Sequence, residues 1–252
     1  MGLFQRLANP TRFLRLAAVL VPWCAGVTVV TLALGLYLGL FVAPADYQQK
    51  EAFRIMYVHV PAAWIGLFAY ALLAAAGAST LIWKHPLADL VAKEAAPLGA
   101  AFTFLALVTG WIWGMPGWGT TWDMWWIWLD PRLASMLLLF FLYLGHIALT
   151  NAFDDAARGA RAAAILALVG VINLPIIKYS VEIGAWNSLH QRASVSKLGT
   201  PSIYPSMLWP LLLMAIGFTA YFVTVLLLRV RGEIAARKLH ALRLAQGDGA
   251  RG

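Results

Sequence analysis

An uninterrupted apolar stretch near the N-terminus decides the fold class. Residues 16–42 read LAAVLVPWCAGVTVVTLALGLYLGLFV, with no charged side chain anywhere in the run. A helix needs about 20 mostly apolar residues to cross a bilayer. The run is longer than the apolar core of a signal peptide, about 7–15 residues, and it lacks a clear small-residue cleavage site. It therefore predicts a retained transmembrane helix.

Five further apolar runs follow along the chain, and none has a charged residue in its interior. They occupy residues 60–83, 96–113, 133–149, 162–179 and 205–228. Charged residues are only 12% of the 252 residues, about half the share of roughly 25% in soluble domains. We therefore predict an all-α integral membrane protein with six transmembrane helices in one domain, residues 1–252. The one cysteine, Cys24, excludes an intrachain disulfide framework.

The basic residues predict how these helices are oriented. Thirteen of the 19 Lys and Arg flank one side of the predicted bundle and six flank the other. An excess of Lys and Arg marks the cytoplasmic side. We therefore expect both termini in the cytoplasm and three outward loops, at about residues 43–59, 114–132 and 180–204. The net charge of +8 then reflects topology, not nucleic-acid binding. The basic tail, about residues 229–252, is read as a stop-transfer flank, with a helical tail (Arg229 to Leu244) lying on anionic lipid as the alternative.

The loops predicted on the cytoplasmic side contain few residues that could take part in a reaction. They contain no glycine-rich phosphate loop, so we do not expect the chain to hydrolyse nucleotide. Ionisable residues deep in the spans normally mark the pathway of an ion-coupled transporter. Their absence counts against that class.

The second outward loop is unusually rich in tryptophan. Seven of the twelve tryptophans lie within eighteen residues, at Trp111, Trp113, Trp118, Trp122, Trp125, Trp126 and Trp128. An aromatic belt at the membrane surface usually distributes tryptophan more evenly over the helix ends. The concentration instead favours a platform on which a large flat apolar ligand can stack. Asp130 and Arg132 flank this platform, and a guanidinium can pair with ligand carboxylates.

Two outward histidines bracket the tryptophan platform in sequence. His59 lies where the first outward loop enters the second span, and His190 lies in the third outward loop. Neutral imidazole is a standard axial ligand of haem iron. We therefore predict a haem site at the outer face, with His59 and His190 as metal ligands. Arg54 and Arg192 are further candidates, after Arg132, for binding the haem propionates.

Two other functional classes remain open at this point. A membrane cytochrome would hold haem between histidines on facing helices inside the bundle, and only His146 lies within a span. For His146 the expected role is a hydrogen bond between helices. A permease for another substrate would need an apolar path.

These residues resemble the CcmC family of haem-handling proteins in cytochrome c maturation. The resemblance is carried by Trp118-Gly119-Thr-Thr-Trp122, by His59 before Pro61-Ala62-Ala63-Trp64, and by Leu189-His190-Gln191. After Trp122 the loop is longer than the family pattern, and we take Trp128 and Asp130 as its closing pair.

The resemblance implies a binding protein of the bacterial inner membrane, not an enzyme. It implies transient binding of haem b at the periplasmic face and transfer to the haem chaperone CcmE, alongside an assembly of CcmA and CcmB with the small subunit CcmD. The expected haem-binding residues are His59, His190, Trp118, Gly119, Trp122, Trp125, Trp126, Trp128, Asp130 and Arg132. Within this set we expect the closest contacts from Trp118, Trp122 and Trp128, with Trp111 and Trp113 as membrane-interface anchors.

Overall fold

A computed structural model describes residues 9–118, 130–181, 190 and 203–249 of the chain. The regular elements in these ranges are helices. They are α1 (Pro10–Tyr37), α2 (Met56–Trp83), α3 (Ala88–Trp118), α4 (Pro131–Asn151), α5 (Ala156–Gly170), α6 (Asn173–Tyr179) and α7 (Pro205–Gly249). A π-helical turn, Leu38–Val42, extends α1, and a 3₁₀ turn, Glu51–Ile55, leads into α2.

The predicted all-α class and the predicted six spans are both confirmed. Within the described ranges, six helical segments are long and apolar enough to cross a membrane. Their bounds are Pro10–Val42, Glu51–Trp83, Ala88–Pro116, Pro131–Asn151, Ala156–Tyr179 and Pro205–Gln246.

The fifth predicted run is not one continuous helix. It divides into α5 and α6, with a turn at residues 171–172. Pro175 lacks a backbone N–H and crowds the carbonyl four residues before it, which weakens the helix at this point. The Asn173 side-chain amide donates to the carbonyl of Ser135 in α4 at 2.8 Å. This bond fixes the break against a neighbouring helix.

The last helix continues well beyond the predicted membrane run, which ends at residue 228. Past that point α7 is anchored to the start of α3 by ion pairs. Lys93 pairs with Glu233 at 2.8 Å, and Arg229 pairs with Glu94 at 2.8 Å. Val230 packs between these pairs against Leu87 and Leu90. The helix therefore continues because its extension has a tertiary partner.

The core is built mainly from α2, α3 and α4, with α5 and α7 packed against them. Many of its buried positions are alanine, and small residues allow membrane helices to approach closely. The buried hydroxyl of Tyr143 donates to the Gly66 carbonyl at 2.7 Å and joins α4 to α2. Helix α1 packs on α7 at the edge of the bundle.

The up-and-down path of the chain gives the bundle two distinct ends. One end, here the His59 end, contains the starts of α2 and α4 and the end of α3. The opposite end, here the tail end, contains the end of α2, the starts of α3 and α5, and the extension of α7. Each end contains a cavity.

Candidate functional site

A cavity of about 660 Å³ lies at the His59 end. Its walls come from the segment before α2, from α2 itself, from the end of α3 and from the start of α4. Its lining includes Gln49, His59, Gly110, Trp113, Leu133 and His190. This volume falls within the range of about 300–1,000 Å³ that small-molecule and cofactor sites occupy. The cavity is the candidate functional site.

His59 is held in the cavity wall by residues of α3. The residue is 9% exposed, and its Nδ1 atom lies 3.0 Å from the Ala106 carbonyl oxygen and 3.1 Å from Thr109 Oγ1. These two contacts to one turn of α3 fix the orientation of the imidazole. Nε2, on the other side of the ring, takes no part in these bonds.

Gly110 provides the space that the His59 ring occupies. A Cβ atom at this position would lie 2.8 Å from His59 Cε1, closer than two carbon atoms can pack without displacement. The requirement for glycine here comes from the close approach of the imidazole to the α3 backbone.

The structure brings His59 and His190 together, although they lie far apart in sequence. Their ring centroids are 6.3 Å apart, and the ring planes are inclined by 33°. Both side chains line the cavity. The two histidines that the sequence analysis singled out therefore lie at one cavity.

Trp113, expected from the sequence to be a membrane-interface anchor, lies in the wall of the cavity beside His59. Its ring lies edge-on to His59, with centroids 5.6 Å apart and planes at 73°. Its indole N–H donates to Gln49 Oε1 at 2.7 Å. Trp113 therefore joins the segment before α2 to the wall that holds His59.

Sequence reasoning missed Gln49, Thr109 and Gly110. Positions 106, 109–110 and 113 follow the spacing of one helical face, and this face is directed towards His59. That spacing is a signal that could have identified Thr109, Gly110 and Trp113. Gln49 has no comparable signal, because its partner lies 64 residues away.

Arg54, a candidate for binding a haem propionate, is bound instead by neighbouring groups of the protein. Its guanidinium pairs with Glu51 at 2.5 Å and donates to the Gly39 carbonyl in the π-helical turn. It also lies over the ring of Phe53, 5.2 Å from the ring centroid. These contacts hold the 3₁₀ turn to the end of α1. Among the described residues, the basic side chain that lines the cavity is Lys50.

Asp130 forms the N-cap of α4 beside the cavity. It is 1% exposed, and Oδ1 accepts from the backbone N–H groups of Arg132 at 2.9 Å and Leu133 at 3.1 Å. An N-cap carboxylate satisfies donors that the helix itself leaves unpaired. Asp130 therefore fixes the start of α4 and, with it, the position of Arg132. Arg132 lies within electrostatic range of His59.

Most of the predicted tryptophan platform falls outside the described residues. Trp118 is the last residue of α3, and Leu133 packs against Trp111 at the base of the same loop. The expected ligand contacts that lie outside the described ranges are Gly119, Trp122, Trp125, Trp126, Trp128 and Arg192.

Comparison with known proteins gives matches over nearly the whole chain. The family model of CcmC, described as heme exporter protein C, matches residues 3–245. The heme exporter protein C of Bradyrhizobium diazoefficiens is 55% identical over 96% of this chain and 89% of its own length. That of Haemophilus influenzae is 48% identical over 90% of this chain and 89% of its own length. The Escherichia coli K12 protein of the same name is 47% identical over 91% of this chain and 90% of its own length. The chain therefore belongs to the CcmC family.

Proposed function

We propose that this chain binds haem b transiently at the periplasmic face and delivers it to the haem chaperone CcmE during cytochrome c maturation. The observation that carries the proposal is the pair of imidazoles, His59 and His190, facing one cavity. Family membership supports a role in haem handling. Haem is the transported substrate, and the chain is a binding protein with no reaction of its own.

The spacing of the two rings fits a shared metal ion. A bond between a metal and an imidazole nitrogen is about 2 Å long, and two such bonds in line, with the ring radii added, separate the centroids by about 6 Å. The separation in this chain is 6.3 Å. Two histidines on one iron would give a six-coordinate centre, and haem supplies that iron when it is bound.

The cavity also offers partners for the other parts of haem. The Trp113 ring provides apolar aromatic surface beside His59. Propionates near a low-dielectric surface require a cation or several N–H donors. We assign that role first to Arg132 and then to Lys50, because Arg54 is bound to Glu51 and Gly39. The platform residues Trp118, Gly119, Trp122, Trp125, Trp126 and Trp128, with Asp130 orienting Arg132, complete the proposed site.

The proposed orientation places the His59 end in the periplasm. The tail end and the termini carry 13 of the 19 Lys and Arg, and the His59 end with its loops carries six. The excess of basic residues identifies the cytoplasmic side. Residues 1–252 then form one domain in the bacterial inner membrane, in contact with lipid on its outer surface.

The proposed partners follow from the family. The heme exporter name of the relatives fits an assembly in which CcmA and CcmB, with CcmD, act beside this chain. CcmE receives haem from the periplasmic side of the cavity. No nucleic acid is involved.

The direct test is haem retention in purified variants. His59→Ala and His190→Ala should each lower the ratio of haem to protein, because each removes one of two axial bonds. Added imidazole should restore part of the loss. His240→Ala is the matched control, because His240 is an exposed residue of the α7 extension and should leave haem unchanged. Wild-type absorption spectra for both variants would contradict the proposed ligands.

Delivery requires a separate measurement. Membranes that contain CcmE and wild-type protein should accumulate haem-loaded CcmE, whereas membranes with His59→Ala or His190→Ala should not. Equal loading of CcmE in all three membranes would contradict the delivery step and leave haem binding itself standing.

A further inference from the structure

The bonds around Nδ1 of His59 determine which ring nitrogen faces the cavity. One neighbour is the Ala106 carbonyl oxygen, at 3.0 Å, and a carbonyl can only accept. The other neighbour is Thr109 Oγ1, at 3.1 Å. A hydroxyl has one proton to donate and two lone pairs that accept.

The Thr109 hydroxyl proton is already used within α3. It is donated to the Leu105 carbonyl at 2.6 Å, the shorter of the two bonds that this oxygen makes to α3 carbonyls. Thr109 Oγ1 therefore presents a lone pair to His59, as Ala106 does. With two acceptors around it, Nδ1 carries the proton of the neutral ring.

We propose that Thr109 is a positioning residue that, with the Ala106 carbonyl, holds His59 in its Nδ1–H tautomer and presents Nε2 as the iron ligand. The proposal rests on the haem-binding function proposed above. When one ring nitrogen of a histidine binds a metal, a hydrogen bond donated by the N–H of the other ring nitrogen fixes the ring and makes the metal-binding nitrogen more basic. A more basic imidazole favours ferric over ferrous iron. Thr109 therefore affects both how tightly haem is held and its reduction potential.

The test compares two substitutions at the same position. Thr109→Val keeps the shape of the side chain and removes the acceptor, whereas Thr109→Ser keeps the acceptor. For Thr109→Val we expect haem to dissociate about tenfold faster, at the lower end of the 10–100-fold range for such outer partners, because Ala106 remains. The reduction potential should shift to a more positive value. Thr109→Ser should match wild type in both measurements.

Thr103→Val is the control for the loss of an intrahelical bond from a threonine hydroxyl. Thr103 lies on the same helix, and its hydroxyl also donates to a carbonyl four residues earlier, Gly99, at 2.7 Å. This variant loses the same kind of intrahelical bond without touching His59. An equal rise in dissociation rate or potential for Thr103→Val and Thr109→Val would overturn the positioning role.

A measurement without haem separates this proposal from the function on which it rests. Nitrogen-15 NMR of histidine-labelled, haem-free wild-type protein at about pH 8, where an ordinary imidazole is neutral, reports which nitrogen of His59 carries the proton. The His59 signal is assigned by its loss in His59→Gln. We expect the Nδ1–H tautomer, and an Nε2–H tautomer overturns the proposal even if haem binds. If wild type shows the Nδ1–H tautomer but holds no haem, the proposed function fails instead.

Discussion

The two ends of the helix bundle each bury a histidine beside a cavity, but the two histidines differ in their hydrogen bonds and in the size of the adjoining cavity. At the His59 end, Nδ1 has two partners on α3, and the adjoining cavity measures about 660 Å³. At the tail end, His146 is 2% exposed, its Nδ1 has no hydrogen-bond partner among the described residues, and the cavity measures about 50 Å³. The hydrogen bond between helices that we expect for His146 is therefore not made through Nδ1 within the described ranges.

The comparison shows that the residue type alone does not make a ligand site. His59 has a ring held through Nδ1, a facing imidazole and room for a large molecule beside it. His146 lines a space that is too small for a macrocycle, and the described residues provide no second histidine there. A cytochrome-like site inside the bundle, one of the alternatives left open by the sequence, has no support at the tail end.

The charges at the two ends also differ in what they stabilise. At the tail end, ion pairs join α3 to the α7 extension across the chain. At the His59 end, the described ion pair is local, between Arg54 and Glu51 within one 3₁₀ turn. We infer that the tail end mainly stabilises the fold, whereas the His59 end is shaped for a ligand.

Gly110→Ala should have the largest effect. The added Cβ would lie 2.8 Å from His59 Cε1, and a side chain held by two hydrogen bonds cannot move away without losing them. We expect the His59 ring to be displaced and haem affinity to fall at least tenfold, equivalent to about 1.4 kcal/mol. The measurement is haem titration followed by absorbance.

The control for this change is Gly26→Ala in α1. A Cβ at Gly26 meets no atom within 4 Å, so the same substitution in another apolar helix should leave haem affinity unchanged. Equal affinities for the Gly110→Ala variant and wild type would show that the imidazole is not confined by α3.

Arg229→Met should lower the stability of the fold at the tail end and leave haem affinity unchanged. Glu94 is almost fully buried, and its side chain would lose the cation that pairs with it at 2.8 Å. Breaking a fully buried pair costs about 3–5 kcal/mol. Since Arg229 is itself half-exposed, we expect about 1–2 kcal/mol of lost stability, on the scale of one charged hydrogen bond. Thermal unfolding in detergent gives this loss as a lower Tm.

Arg243→Met is the matched comparison for the tail end. Arg243 is exposed on the same helix and forms no ion pair within the described ranges. Its Tm should equal that of wild type. A fall in haem affinity for Arg229→Met, with Tm unchanged, would contradict the division between the two ends.

Gln49→Leu should have a smaller effect at the His59 end. It removes the acceptor of the Trp113 indole N–H, and one neutral hydrogen bond contributes about 0.5–1.5 kcal/mol. We expect haem to dissociate about 2–10 times faster, because the wall that includes Trp113 loses its tie to the segment before α2. Stopped-flow transfer of haem to apomyoglobin measures this rate.

Gln48→Leu tests whether the effect of Gln49 comes from its bond or only from its polarity. Gln48 also lines the cavity, and among the described residues its recorded hydrogen bond uses the backbone N–H, which the substitution keeps. Its dissociation rate should remain that of wild type. If haem dissociated equally faster from both variants, a specific role for the bond between Gln49 and Trp113 would be contradicted.

The membrane explains why the sequence predicts the fold so well. A bilayer requires about 20 apolar residues per span, so runs such as residues 16–42 are visible without any tertiary information. The break between α5 and α6 was not predicted, and the helical extension of α7 was only the less favoured interpretation of the basic tail. Both depend on contacts between distant residues, such as Asn173 with Ser135 and Lys93 with Glu233.

The same distinction applies to the candidate site. His59 and His190 were predicted together because they lie on one side of the membrane in the topology that the charges indicate. The roles of Gln49 and Trp113 were not predicted, since side chains 64 residues apart form their bond. Tryptophan is common at membrane surfaces, so composition alone assigned Trp113 to the interface. Only the three-dimensional arrangement places its ring against His59.

His146→Leu should have the smallest effect, and it tests the comparison from the tail end. His146 Nδ1 is buried without a partner in the described part of the chain, and a buried unsatisfied polar atom costs about 1–3 kcal/mol. Replacing it by an apolar side chain of similar volume removes that cost but changes the shape of a packed position, which costs up to about 1.5 kcal/mol. The two effects largely cancel, so we expect a Tm within about 2–4 °C of wild type, the shift that roughly 1 kcal/mol produces in a chain of this size. Haem affinity should not change. A clear loss of haem in His146→Leu, together with retention in His59→Ala, would reverse the comparison and place the ligand inside the bundle.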